Sequence, residues 1–264
     1  MKTWFITGTS SGIGRTLTEA LLAKGDRVAA TLRDVSALSG LQARYPATLW
    51  TAALDVTDAN QARAVAARAF AELGRIDVVV SNAGYGLFGA AEELTDEQID
   101  RQIATNLTGS IHVVRATLPH LRLQGGGRLL QVSSEGGQTT YPAFSLYHAT
   151  KWGVEGFIQA VAAEVEAFGI ACTLIEFGPT ATNFSGSIVR ATPMTAYEET
   201  TVGKFRRAAR AGTAFPEYES PMSVAQAMID VADRSPAPLR LAVGTYALAR
   251  VRSELRQRLE AMGA

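Results

Sequence analysis

The sequence predicts a single α/β domain: a doubly wound parallel sheet with helices on both faces. Short apolar runs rich in β-branched residues recur along the 264-residue chain, with longer amphipathic stretches between them. That alternation implies βαβ units, right-handed crossovers and a parallel sheet. The length is ordinary for such a sheet and sufficient to bury a sizeable core. No internal repeat, low-complexity tract or Gly/Ser linker divides the chain, so residues 1–264 read as one domain.

Taken in order, strands are expected at 4–7, 27–32, 48–53, 78–81, 128–133, 170–176 and 240–243. Helices are expected between and after them, at 13–24, 58–73, 97–121, 144–168, 223–234 and 246–262. Residues 178–221 break the rhythm. They form a long insertion between a strand and a helix with scattered apolar residues, and such segments tend to be functional. This stretch is expected to cover a substrate.

Acidic and basic residues balance at 25 each, which argues against a nucleic-acid or anionic-membrane surface. The lone cysteine, Cys172, lies in an apolar run and reads as a buried, inert thiol. A single cysteine cannot form an intrachain disulfide, which fits a reducing compartment. The apolar run at the start is too short for a signal peptide, and nothing reaches transmembrane length. The expectation is a soluble, cytoplasmic protein without nucleic-acid or membrane partners.

Two stretches carry chemistry. The first, Thr7-Gly8-Thr9-Ser10-Ser11-Gly12-Ile13-Gly14, follows a strand and opens a helix. Glycines there let the backbone approach a pyrophosphate, and the helix start offers free N–H groups and a positive dipole end. The spacing is G-x-x-x-G-x-G rather than G-x-G-x-x-G, and no Lys-Ser/Thr follows to make a P-loop. The second is Ser145-Leu146-Tyr147-His148-Ala149-Thr150-Lys151. Tyr147 and Lys151, four apart, rise from one helix face. A phenol titrates near ~10, and a neighbouring cation lowers that value toward use in acid–base catalysis.

With Ser81-Asn82-Ala83-Gly84, Asn106 and Ser134, these motifs resemble the short-chain dehydrogenase/reductase family. Ser134 precedes Tyr147 by the 13 residues of that pattern (147 − 134 = 13). The resemblance runs from the first strand to the last helix and implies a Rossmann-type fold and a nicotinamide cofactor.

It also implies roles. Tyr147 would protonate a carbonyl oxygen in reduction and act as base in reverse. Lys151 would lower the phenol and hold the nicotinamide ribose, and Ser134 would orient the carbonyl. Asn106 would hold a water in a proton relay. Gly8, Ser10, Ser11, Gly12, Ile13 and Gly14 would cradle the pyrophosphate. Asp55, with Val56, would meet the adenine amino group. Asn82, Ala83 and Gly84 would line the adenine ribose, and Gly178, Thr180 and Thr182 would touch the nicotinamide. Phe177 departs from the family, which usually has proline there. Ser133 is the rival serine, but one residue off in an extended strand it faces the other way.

Cofactor choice turns on the end of the second strand. An acid there favours NAD(H), and an arginine accommodates the 2′-phosphate of NADP(H). The acid's usual position falls at neutral Leu32, and Arg33 follows, so NADP(H) is expected. Asp34 comes next, and a strand ending one or two residues later would favour NAD(H). Ser11 also lacks the charge of the basic residue that some NADP-preferring members carry in the glycine turn.

The expected substrate is a small apolar or aromatic carbonyl or alcohol, with Tyr141 and Phe184 joining Ser134 and Tyr147 around it. Phe88, Phe144, Ile188, Val189, Met194, Tyr197 and Phe205 would add to an apolar roof. The resemblance implies a homo-oligomer, dimer or tetramer, through the helices holding Asn106 and Tyr147. A regulator that binds a dinucleotide without chemistry is one alternative, disfavoured by the intact Ser134, Tyr147 and Lys151; an epimerase or dehydratase of the extended branch is another, disfavoured by the shorter chain and the Thr7–Gly14 spacing.

Other residues read as structural. His148 points about 100° from Tyr147 on a helix. His112 and His120 lack companions for a metal site. Lys204, Arg206, Arg207 and Arg210 read as a solvated helix face. Glu135 either biases the site against anions or faces solvent.

Overall fold

The computed structural model describes residues 1–181 and 188–263. Its main sheet has seven parallel strands: β1 (Thr3–Thr7), β2 (Arg27–Leu32), β3 (Leu49–Ala53), β4 (Val78–Ser81), β6 (Gly127–Val132), β7 (Ile170–Phe177) and β9 (Arg240–Val243). Their spatial order is β3-β2-β1-β4-β6-β7-β9. Order therefore reverses between β1 and β4, the place where open α/β sheets bind ligands beyond the strand ends.

The strands alternate between two cores, as a sheet covered on both faces requires. Trp4, Ile6, Val28, Val80 and Leu130 point one way, onto α1 (Gly12–Ala23) and α8 (Pro221–Val231) through Leu17, Leu21, Val224 and Met228. Phe5, Ala29, Val79, Leu129 and Leu174 point the other way. They meet α3 (Ala59–Leu73), α5 (Gly109–Leu123) and α6 (Ser145–Val165) through Val65, Val114, Ile158 and Val161. Cys172 is buried in this second core, which pushes its thiol up to about 11. The remaining long helix, α9 (Thr245–Ala261), follows β9.

Three expectations are corrected. The helix expected at 97–121 is two: α4 (Asp96–Ile103) and α5, joined by a π-helical turn at Ala104–Thr108. A short 3₁₀ turn (Val35–Leu38) and helix α2 (Ser39–Arg44) fill the β2–β3 connection. The inserted segment, for which no element was expected, carries two. It contributes β8 (Val189–Arg190), paired in parallel with β5 (Leu87–Phe88), and helix α7 (Thr201–Arg210).

The basic run lies on α7 but is not all solvated. Arg206 is buried and grips Glu93 with Nη2 at 2.8 Å from Oε1 and 2.6 Å from Oε2. Against its burial, backbone N–H bonds from Met194 and Ala90, and then Arg206, hold Glu93 below the usual carboxylate range. The pair pins α7 to the turn that carries Glu93. No helix among the described residues is long and apolar enough to cross a membrane.

Candidate active site

The glycine turn is shaped by close approach. Gly8 has φ +73°, and a Cβ there would stand 2.8 Å from the Ala83 Cα. One on Gly14 would stand 2.4 Å from the Gly8 carbonyl oxygen. Neither position has room for a side chain. Asn82 stitches this corner, its amide donating to Thr7 O at 2.8 Å and Gly8 O at 3.2 Å. With its amide so engaged, Asn82 fixes the turn beneath the cavity as well as lining it.

That cavity, about 970 Å³, runs along the carboxyl ends of the strands. Its wall includes Gly8, Ser10, Ser11, Gly12 and Ile13 at one end, then Arg33, Asp55 and Val56, then Asn82, Ala83 and Gly84. Ser134, Tyr141, Tyr147, Lys151, Gly178 and Thr180 complete it. Gly14 packs behind the turn, and Thr182 and Phe184 lie outside the described residues.

At the end of β2, Leu32 makes the last ladder pair, with Ala53, and Arg33 follows at once. Asp34 accepts the Ser36 N–H at 3.0 Å and caps the next turn. Across the cavity, Asp55 accepts from the backbone and hydroxyl of Thr57 at 2.9 and 2.8 Å. Its pKa is lowered by the backbone bond first, with Arg33 and Arg101 adding attraction. Asp58, not Asp55, caps α3 through Asn60 and Gln61 N–H.

At the other end, β6 delivers Ser134 and α6 delivers Tyr147 and Lys151. The Ser134 hydroxyl hydrogen-bonds the Tyr147 phenol, and it lies 3.4 Å from Phe177 O. Phe177 in place of proline lets β7 pair on to Val243. Ser133 turns away and donates to Glu155 at 2.5 Å. Lys151 is buried, donates to Val132 O at 3.1 Å and has Nζ 5.7 Å from the Tyr147 ring centroid. Burial pushes Lys151 down to about 8, against the pull of Glu155.

The phenol departs from expectation. Burial pushes Tyr147 up to about 12; Ser134 opposes this and the Glu135 charge adds to it. Lys151 does not hold it down: its ammonium donates to Val132 O. Tyr147 is a group that keeps its proton through neutral pH.

Asn106 lies in the π-helical turn, buried. Its Oδ1 accepts Tyr85 N–H at 3.0 Å, and its Nδ2 donates to Tyr85 O at 2.8 Å. The side chain clamps the loop after β4, and Gln102 adds a bond of 3.1 Å to the same carbonyl. His148 also lines the cavity. Nε2 accepts Tyr141 N–H at 2.9 Å, and Nδ1 faces Gly136 O at 2.8 Å. Ala143 holds φ +68°, a costly conformation for a residue with a Cβ, one residue before Phe144. Among the described residues no group of three His, Cys, Asp or Glu could hold a metal.

A family profile for short chain dehydrogenase matches residues 2–192. The chain belongs to the short-chain dehydrogenase family. An oxidoreductase of Botryotinia fuckeliana, BOA17, is 38% identical over 248 residues, covering 94% of this chain and 90% of that one. A short-chain dehydrogenase from Streptomyces avermitilis superposes with TM-score 0.91 at 36% identity, over 100% of this chain and 96% of that one. An alcohol dehydrogenase from Thermococcus sibiricus, solved with 5-hydroxy-NADP, gives TM-score 0.74 at 26% identity over 92% and 96%. The chain is thus an oxidoreductase of this family, on its Rossmann-type fold.

Sequence reasoning missed part of this short-chain dehydrogenase's site. Arg101, on α4, lines the cavity and lowers Asp55. Phe215 meets Tyr141 edge-on at 5.3 Å. Glu135 does not face solvent: it is buried, with Tyr141, Tyr246 and Arg250 around it. Glu135 was visible in the sequence as the residue after Ser134, and Arg101 as a cation shortly before Asn106 in the same helical stretch.

Proposed function

We propose that the protein is an NADP(H)-dependent oxidoreductase that interconverts a ketone or aldehyde and an alcohol. One juxtaposition carries this reading: Ser134 bonded to Tyr147, with Lys151 buried beside them, in a cavity whose other end is the glycine turn. The cavity's volume and the close-packed glycine corner fit a dinucleotide. When bound, such a cofactor supplies or accepts the hydride.

The protein's own groups do the rest. Ser134 orients the carbonyl oxygen and shares the charge that develops on it. Tyr147, protonated at neutral pH, delivers its phenolic proton to that oxygen in reduction and takes it back in oxidation. Lys151 supports the adjacent ribose. Arg33 favours NADP(H): it follows the last ladder residue of β2 and lines the cavity, while the Asp34 carboxylate is occupied by Ser36. The relative crystallised with 5-hydroxy-NADP supports the same choice. Phe88, Phe144 and Phe205, with rings 5.1 to 6.2 Å apart, favour an apolar or aromatic substrate.

The test is NADPH oxidation, followed by absorbance, across a ketone panel. Aromatic ketones should outrun acetoacetate. Tyr147→Phe should lose roughly 10²–10⁴ in rate while still binding NADPH. Full activity in that variant, or no turnover of any ketone or alcohol, overturns the reading.

A further inference from the structure

One cation on the cavity wall has no part in the chemistry above. Arg101 stands in the last turn of α4, exposed to solvent, and lines the cavity. Glu97 lies four residues earlier, the spacing at which Arg15 and Glu19, Arg68 and Glu72, and Glu254 and Arg258 pair. Arg101 nevertheless forms no ion pair or hydrogen bond with the described residues. Ala104 and Thr105, three and four positions on, also line the cavity, so one face of this helical stretch looks into it.

That face rests on the corner beyond β3. Gly109, the next turn on, sits so near Val56 that a Cβ would stand 2.7 Å from its Cγ2. His112 Nδ1 lies 3.0 Å from Val56 O. Gln102 and Asn106 tie the same stretch to Tyr85 O, at 3.1 and 2.8 Å. Arg101 is thereby held by the corner where Asp55, Val56, Gly84 and Tyr85 line the cavity. The attraction of Arg33 and Arg101 for the Asp55 carboxylate agrees with that placement.

The corner suits a flat, neutral heterocycle that carries an amino group. Val56 and Ala104 offer apolar surface, and both Thr57 bonds fall on Asp55 Oδ1, which leaves Oδ2 for an N–H donor. A phosphate between Arg101 and Asp55 would meet like charge on the carboxylate. A guanidinium is planar and weakly hydrated, and it stacks on aromatic faces.

We infer that Arg101 is a cofactor-binding residue that stacks its guanidinium on the adenine ring, closing that end of the cavity over a base whose amino group faces Asp55. This rests on the cavity being a dinucleotide site. NADPH and NADH share the adenine, so Arg101 contributes affinity for both and leaves the choice between them to Arg33.

Binding is read without turnover, by fluorescence titration of the wild type and Arg101→Ala with NADPH, NADH and reduced nicotinamide mononucleotide. Both dinucleotides should bind the variant roughly 3- to 30-fold more weakly, by factors that agree within about twofold. The mononucleotide, which lacks adenine, should bind both proteins alike. A loss confined to NADPH would make Arg101 a contact of the 2′-phosphate. An equal loss for the mononucleotide would make the effect a general disturbance of the cavity, and unchanged affinity for both dinucleotides would leave Arg101 without a role. Each of these three results overturns the inference alone. A wild type that binds neither dinucleotide instead refutes the dinucleotide site itself, and the inference falls with it.

Discussion

Ser133 and Ser134 are chain neighbours with opposite duties: Ser133 donates to the buried Glu155 carboxylate at 2.5 Å, and Ser134 bonds the Tyr147 phenol. Extended backbone after β6 sends successive side chains to opposite faces. Ser134→Ala should therefore lower kcat/KM by roughly 10²–10³, the scale of losing one donor to a developing oxyanion. Ser133→Ala should cost about 1–3 kcal/mol of stability and leave kcat/KM within a few-fold. Steady-state kinetics and urea unfolding of both variants check this; the reverse pattern would exchange their roles.

Cofactor choice should follow Arg33. A guanidinium on the 2′-phosphate makes charge-assisted bonds, which corresponds to a preference for NADPH of roughly 10- to 100-fold. Arg33→Ala should erase most of it by raising KM for NADPH alone. Equal efficiencies in the wild type, or an unchanged ratio in the variant, would mean that Arg33 does not read the phosphate.

Reduction should be insensitive to pH in the neutral range and fall in base. Lys151, pushed down to about 8, loses its charge as pH rises past that value, while Tyr147, pushed up to about 12, is still protonated. The plateau in kcat/KM therefore lies below about pH 8, and the decline above it follows the lysine. A profile from pH 6 to 10 that climbs through 8 would contradict this assignment.

Arg240 holds two buried acids together. Its Nη1 lies 2.5 Å from Glu155 Oε2 and 2.7 Å from Glu176 Oε1. Arg240→Ala strands both, and breaking a buried pair this way costs about 3–5 kcal/mol. Burial already pushes Glu176 above the usual carboxylate range. Without the guanidinium Glu176 rises further. The deficit should be small at low pH, where the acids are protonated, and grow as pH rises past them. Urea midpoints at pH 5 and pH 8 measure it, and a deficit that shrinks with rising pH would refute the account.

Sequence by itself determined the elements that repeat and the motifs that sit on them. Alternating apolar runs located all seven strands of the main sheet to within a residue or two, because a strand buried on both faces must be apolar throughout. The glycine turn and the Tyr147–Lys151 spacing were legible because each is local: one needs positive φ and no Cβ, the other a single helical turn. The π-helical turn at Ala104–Thr108 was not legible, since its residues also suit an α-helix and only the clamp of Asn106 on Tyr85 marks it. Arg206 looked like one more surface cation until Glu93, 113 positions away, was brought against it. Glu135 likewise acquired its meaning from Tyr141, Tyr246 and Arg250, the last two delivered by α9 from the far end of the chain. Spacing reveals partners that share a helix or a turn. Burial and charge between distant segments arise only when the sheet brings those segments together, and the tertiary structure alone decided them.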